Sequence, residues 1–332
     1  MEENDMATIS MTNQQEPQGT NNSLAEIKKY LTDITDQIAQ SDALTNYMTP
    51  NPILVRAATS AGKFLVPTIE TSGLGNYDKG KGTTRGAVKT TFEEYSCRYD
   101  RARSFVLDSV DIMQEDGLVQ MSGVLAEFTR SEVVPEIDAT RIATCASTAI
   151  TATQTISKAP AKASFLSDIT TGMNAIRSAM RLRGTDGMKI HVNDKYIDVL
   201  EQSSEYSRSK SITEGLRRLD TGVDVINQAE VIYTPDEYMR TSFEYESAIT
   251  TTADTVPDGG FKPASGALEV AALIVAPNVA NGLVASDATQ MFGPGQVPGV
   301  FGSQLDYRIF HDCIILKNKR KGVYAITVPG SS

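Results

Sequence analysis

The stretch that most constrains the fold runs from Ser104 to Ser147, SFVLDSVDIMQEDGLVQMSGVLAEFTRSEVVPEIDATRIATCAS. It opens on Phe105, Val106 and Leu107, the end of an alternating strand. It then turns helical: Val110, Met113, Gly117, Met121, Val124, Leu125 and Phe128 recur at three- and four-residue steps, so one side is apolar. Asp108 and Asp111 are N-cap candidates, and Glu115 and Asp116 put negative charge where a helix dipole favours it. Pro135 lacks a backbone donor and disfavours helix at Val134, which predicts a bend or break there. The pattern resumes through Ile137, Ile142 and Cys145. A helix this long, interrupted once, is a beam and not the wall of a pocket.

A chain of 332 residues, 40% hydrophobic and 22% charged, is long enough for two domains or one elaborate one. No apolar run approaches the ~20 residues that span a bilayer, which argues against an integral membrane protein. The opening MEENDMATISMTNQQEPQG is acidic and polar, unlike a secretory signal. Cys97, Cys145 and Cys313 are few, odd in number and far apart in sequence, as expected of reduced cytosolic thiols and not of a disulfide framework. A net charge of −10 argues against gripping nucleic acid through a broad basic face, though not against life beside DNA. Only His191 and His311 are available for histidine chemistry, and tryptophan is absent.

Residues 1–22 read as a polar tail without a core of its own. Leu24, Ile27, Leu31, Ile34 and Ile38 form the stripe of an amphipathic arm, from Leu24 to about Ala39, with nothing local to pack on. Phe64, Val66 and Ile69 mark a strand. The glycine-rich tip SGLGNYDKGKGTTRGAVK follows, and the chain returns through an alternating run to Tyr99. Such a two-stranded excursion is marginal alone, so its stability must come from a partner. Residues 150–164 read as a connector. Ser164 caps a helix bearing Phe165, Ile169, Met173, Ile176 and Met180, with Gly184 as its stop. Further strands are expected at Met188–Val192, Val223–Ile226, Val231–Tyr233 and Ala271–Ala276, and a short helix at Asp194–Gln202. Ser203–Asp220 and Thr250–Gly266 read as loops, and Asn278–Leu283 as a short helix or turn. The chain closes with a long strand, a basic turn at Asn318–Gly322 and a last strand. Strands and helices alternate without a βαβ period, which makes the class α+β.

Few residue groups suggest chemistry. His311, Asp312 and Cys313 are adjacent, but on a strand His311 and Cys313 share one face while Asp312 points to the other, so adjacency alone makes no triad. The cysteine spacing does not suggest zinc, and no cofactor is called for. The tip from Lys79 to Gly82 lacks the Gly-Lys-Ser/Thr of a phosphate loop. Glu115/Asp116 and Glu136/Asp138 read as helical surface charge, with Arg103, Arg130 and Arg141 as partners within or between chains.

Three segments carry a resemblance. They are RARSFVLDSVDIMQED, FTRSEVVPEIDATR (Phe128–Arg141) and YRIFHDCIILKNKRKGVY (Tyr307–Tyr324). The chain, from about Ser41 to Thr327, resembles the major capsid proteins of tailed bacteriophages with the Hong Kong 97-type capsid fold. The resemblance implies an N-terminal arm over 23–63 and an extended β-hairpin loop over 64–105. It also implies a peripheral domain of 106–149 and 284–317, containing a long spine helix from about Val110 to Val134, and an axial domain of 150–283 and 318–328. It further implies self-assembly into hexamers and pentamers that form an icosahedral shell around double-stranded DNA, held without sequence-specific contact. The setting is the virion, assembled in the bacterial host cytoplasm, with no membrane and no enzymatic activity. A separate scaffolding protein, a portal and a decoration protein are the expected partners. Lys79, Lys81, Arg85, Arg103, Arg130, Glu132, Glu136, Asp138 and Arg141 are the subunit-interface candidates, the basic tip meeting Glu132 or Glu136 of a neighbour. Two alternatives stand beside this: an encapsulin-like nanocompartment shell, and a cytosolic hydrolase using Cys313 or Cys145 with His311.

Overall fold

A computed structural model describes residues 42–49, 63–77, 79–80, 82–83, 85–108, 117–203, 225–245, 259–286, 289–293, 295–298 and 302–330. The amphipathic arm at 24–39, Lys81 and the loop at 204–220 lie outside the described residues.

The helical beam forms, but Pro135 does not break it. Helix α1 (Gly117–Phe128) passes through a π-helical turn (Thr129–Val133) directly into α2 (Val134–Thr151). In an α-helix Pro135 would leave the carbonyl four residues back unpaired and clash with it. The π turn removes that conflict: the Val134 amide donates to Thr129 O, and the proline falls in the first positions of the new α-helix, where no donor is required. The expected end of the spine near Val134 is therefore corrected to Thr151.

This beam joins two sheets. The first is built on the fourteen-residue strand β13 (Gly302–Ile315). It pairs antiparallel with β3 (Tyr99–Asp108), β11 (Ala280–Ser286) and β12 (Gln290–Phe292). Leu125, Val133 and Ile137 of the helix bury against Leu305, Tyr307 and Ile309 of β13. The Phe128 ring meets Phe105 edge-on at 4.9 Å and Tyr307 at 5.8 Å. The expected helix or turn at Asn278–Leu283 is instead the turn at Asn278, with φ of 57°, and the start of β11. Six residues cannot reveal whether a distant strand pairs with them, and here β13 supplies that edge.

The second sheet has six strands in the order β4, β14, β10, β5, β7, β6. Their ranges are β4 Thr155–Ser157, β5 Lys189–Asn193, β6 Val225–Ile226, β7 Ala229–Thr234, β10 Val270–Val275 and β14 Val323–Thr327. Strand β10 is buried along its whole length, as its uninterrupted VAALIV predicts. Ile142, Cys145, Ala146 and Ala149 of α2 pack into this core with α3 (Phe165–Met180). Helix α3 buries Phe165, Ile169, Met173 and Ile176 as its periodicity predicts. Its ends differ from expectation. The Ser164 side chain makes no cap hydrogen bond, and the helix stops at Arg181 in the left-handed conformation, three residues before Gly184.

Two smaller pieces complete the description. The connector contributes β4 as an edge strand, and Phe261–Pro263 (β9), expected as loop, pairs with β8 (Phe243–Tyr245). A 3-10 and α segment follows β5, with α4 spanning Ile197–Glu201.

Candidate assembly surface

The excursion before the beam is a two-stranded ribbon. Strands β1 (Lys63–Thr71) and β2 (Val88–Ser96) pair in an unbroken antiparallel register, from Lys63 opposite Ser96 to Thr71 opposite Val88. Directly opposed residues share a face, so Pro67 and Phe92, Ile69 and Thr90, and Thr71 and Val88 stand together. This face is bare: Ile69 is 64% exposed, Phe92 68% and Val88 70%. From Thr91 to Val106 odd-numbered residues are half-buried and even-numbered ones exposed, so one side stays open from ribbon into β3. At the tip Leu74 is fully exposed and Tyr77 is 71% exposed.

The ribbon is fastened at its base. The Arg98 backbone N–H and its Nε each donate to Asp312 at 3.1 Å, and Nη2 donates at 2.9 Å. That bond to the carboxylate raises the Arg98 pKa further above its ordinary value. Lys317 Nζ lies 3.3 Å from Glu93, which accepts from the Tyr95 hydroxyl at 2.6 Å. Burial, that hydrogen bond and the adjacent carboxylate push the Tyr95 phenol up to about 12.

The charged residues expected at subunit contacts divide into two groups. Lys79 and Arg85 are exposed on the tip. Arg130 is exposed and pairs with Asp42 at 3.2 Å, while Glu132 is exposed without leaving the helix. Arg103 is half-buried, with a guanidinium nitrogen beside Gly259. The other three are turned into the chain, which corrects the reading of Glu136 and Asp138 as surface charge and makes Arg141 a partner within the chain. Glu136 is 8% exposed and accepts from Arg101 Nε at 2.8 Å, with His311 Nε2 at 3.3 Å. Asp138 is 1% exposed and holds residues 42–49 through the Leu44 amide at 2.9 Å, the Thr45 amide at 3.0 Å and the Thr45 hydroxyl at 2.5 Å. Burial raises the Asp138 pKa, and these donors pull it back. Arg141 donates from Nη1 to Thr45 O and Oγ1, and lies on Gly282, where an added Cβ would come within 2.5 Å of its guanidinium carbon. Burial lowers its pKa. The physical reason is that α2 is covered on nearly every side, by two sheets and by the 42–49 segment. Charge there serves as internal pairing.

Sequence reasoning missed that clamp. Its signal was an Asp and an Arg three residues apart among Ile137, Ala139, Ile142 and Ala143, since a charge set among apolar residues needs a buried partner. A second buried chain joins Tyr47 OH to His191 Nε2 at 2.7 Å and His191 Nδ1 to Thr234 Oγ1 at 2.9 Å.

The strand placement of the His-Asp-Cys run is as expected. His311 and Cys313 face α2, while Asp312 holds Arg98 on the other side. His311 stacks on Tyr99 at 5.5 Å. Cys313 reaches the Cys145 thiol, which this neighbour and burial push well up, and both side chains are buried. A buried thiol with a raised pKa, as at Cys145, is a poor nucleophile. Among the described residues no cluster of three or more His, Cys, Asp or Glu fits a metal ion. No described helix is long and apolar enough to cross a membrane.

A cavity of about 250 Å³ opens beside the π turn. Its lining combines Arg101, Arg103, Glu132, Glu136 and His311 with the rings of Phe105, Phe128 and Tyr307. A second groove, of about 480 Å³, shares Glu132, Gly259 and Gly260 with it and is lined also by Glu237 and Arg240.

No protein-family model matches this sequence, and no curated protein does. Solved structures do. The capsid structure of the cyanophage P-SCSP1u matches with a TM-score of 0.55 at 13% identity, over 88% of this chain and 89% of that one. A structure of Gordonia phage Cozz gives 0.54 at 8% identity over 87% of each chain. The asymmetric unit of the bacteriophage PhiM1 mature capsid gives 0.50 at 12%, over 83% of this chain and 85% of that one. The chain is thus α+β and has the fold of tailed-phage major capsid proteins, the Hong Kong 97-type fold that the sequence resembles.

Proposed function

We propose that this chain is a structural subunit of an icosahedral shell, built from hexamers and pentamers of the same chain around double-stranded DNA. The observation that carries the reading is the ribbon. An isolated two-stranded sheet is marginal in water, and here it exposes Ile69, Val88 and Phe92 on one face. Covering each such side chain contributes roughly 1.5–3 kcal/mol, enough for the ribbon to be stabilised by a neighbour and not by its own chain. The capsid fold makes that neighbour another copy.

On this reading residues 64–105 are the extended loop, laid over an adjacent subunit. The helix with residues 284–317 is the peripheral domain, and 150–283 with 318–328 is the axial domain facing the centre of each ring. The residues before 64 form the arm, whose 42–49 segment is sewn onto Asp138. The net charge of −10 suits an inner wall that repels packaged DNA and leaves it mobile. The role is mechanical, not catalytic, and the setting is the virion after assembly in a bacterial cytoplasm. A separate scaffolding protein, a portal and a decoration protein fit beside it.

Purification followed by sedimentation and negative-stain imaging tests this. Closed particles with icosahedral symmetry are expected, and a stable monomer at all concentrations would sink the proposal. Particles from infected cells should contain double-stranded DNA. Particles loaded with protein cargo would move the reading to a nanocompartment shell.

A further inference from the structure

Two thiols meet between the beam and the long strand. Gly282 and Cys313 stand directly opposite in the antiparallel register of β11 and β13, so they share one face of that sheet. Arg141 lies on Gly282, and Cys145 follows it one turn later on the same side of α2. Sheet register and helix period therefore bring Cys145 and Cys313 to one place, where the two thiols are in hydrogen-bonding contact. Cys145 is 0% exposed and Cys313 2%.

Arg141 adds an independent observation. Its Nε is buried and has no hydrogen-bond partner among the described residues, although Nη1 of the same side chain is bonded to Thr45. Nε stands 2.5 Å from where a Cβ on Gly282 would lie, on the face that Gly282 shares with Cys313. A buried N–H without an acceptor is costly.

An oxygen atom carried on the Cys313 sulfur would supply that acceptor. The reagent that delivers it must be small enough to pass the 42–49 segment. Thr45 of that segment holds Arg141, and its Met48 carbonyl accepts from the Gly282 amide at 3.0 Å. Hydrogen peroxide is small and neutral and meets that need.

We propose that Cys313 and Cys145 are a peroxide-responsive pair, closed by oxidation into an intrachain disulfide that staples α2 to β13. Hydrogen peroxide transfers one oxygen to the Cys313 thiol, giving a sulfenic acid and water. The Cys145 thiol then displaces that oxygen: the S–S bond forms, the S–O bond breaks, and a second water leaves with the Cys145 proton. Peroxide is reduced and the two thiols are oxidised. Cys145 is a weak nucleophile, but contact with its target makes the second step intramolecular. A thiol-buffered cytoplasm keeps the pair open. The staple joins residues more than half the chain apart, so it should constrain the unfolded chain strongly.

The test uses the full chain and hydrogen peroxide. It is read without regard to particle formation, so this proposal and the shell reading fail separately. After oxidation, unfolding in iodoacetamide and digestion, mass spectrometry should find the Cys145 peptide bonded to the Cys313 peptide. Half-buried Cys97 should stay outside that bond. The melting temperature should rise by roughly 5 °C and fall back with dithiothreitol, which leaves any methionine sulfoxide in place. Cys145→Ala should show no such reversible rise. A Cys313 that ends as sulfinic acid with Cys145 unbonded would overturn the proposal. So would a disulfide through Cys97, or a Cys145–Cys313 bond that leaves the melting temperature unchanged.

Discussion

Asp138 and Arg141 are buried charges one helical turn apart, and both are answered by the same short segment, Leu44 and Thr45. Removing one partner of such a set leaves the other charged and unpaired, which costs far more than the pair itself contributes. Asp138→Ala is therefore expected to lower subunit stability by about 3–5 kcal/mol in a denaturant titration. His191 sets a pH limit of another kind. Burial, helped by the nearby Lys189 charge, holds its pKa down to about 4, against an ordinary value of about 6.5. Between these values the unfolded chain binds the proton and the folded one does not, so stability rises with pH. The contribution is complete above about pH 6.5 and is lost as pH falls toward 4, a total of about 3 kcal/mol. His191→Gln should flatten that limb in a series of melting curves. At this scale the sequence showed which residues were charged, but not which way they faced. Glu132 and Glu136 are one turn apart on the same beam, yet one is exposed and the other is 8% exposed beneath β3.

Among the elements, the beam shows what a proline can do without stopping a helix. The π turn holds one extra residue, so the apolar faces of α1 and α2 keep their register on β13. Deleting the exposed Ser131 should convert the turn to plain α-helix and bring Pro135 against a carbonyl, at a cost of about 3 kcal/mol. Adding Pro135→Ala should recover the proline part of that loss but not the lost register, and this non-additivity is what a double-mutant cycle would detect. Gly172 makes a different demand. An added Cβ would lie 2.6 Å from Tyr324 Cδ1 and 2.9 Å from Ile274 Cδ1. Alanine would improve helix propensity by about 1 kcal/mol, but the overpacking of α3 on β14 and β10 should outweigh it, giving a net loss in thermal unfolding. The helices, the VAALIV strand and the ribbon were legible because each follows a local period. Strand β11 was not, because its identity comes from a partner some thirty residues away.

For the whole molecule, the open face of the ribbon should separate folding from assembly. Phe92 is 68% exposed, so Phe92→Asp should leave subunit stability within about 0.5 kcal/mol of the parent in a denaturant titration. Particle formation, followed by sedimentation, should be lost. The α+β class and the two-stranded ribbon could both be read from the sequence. The joining of two sheets by one beam could not, since it depends on which half of the helix each sheet claims. One consequence follows from how the ribbon enters the body. It continues into β3, whose ten residues lie antiparallel along β13. Tension on the ribbon therefore runs along the strand axis, and the ladder is loaded in shear. Its bonds must yield together and cannot be unzipped singly, so a pull on the ribbon is shared across the sheet and passed to the beam.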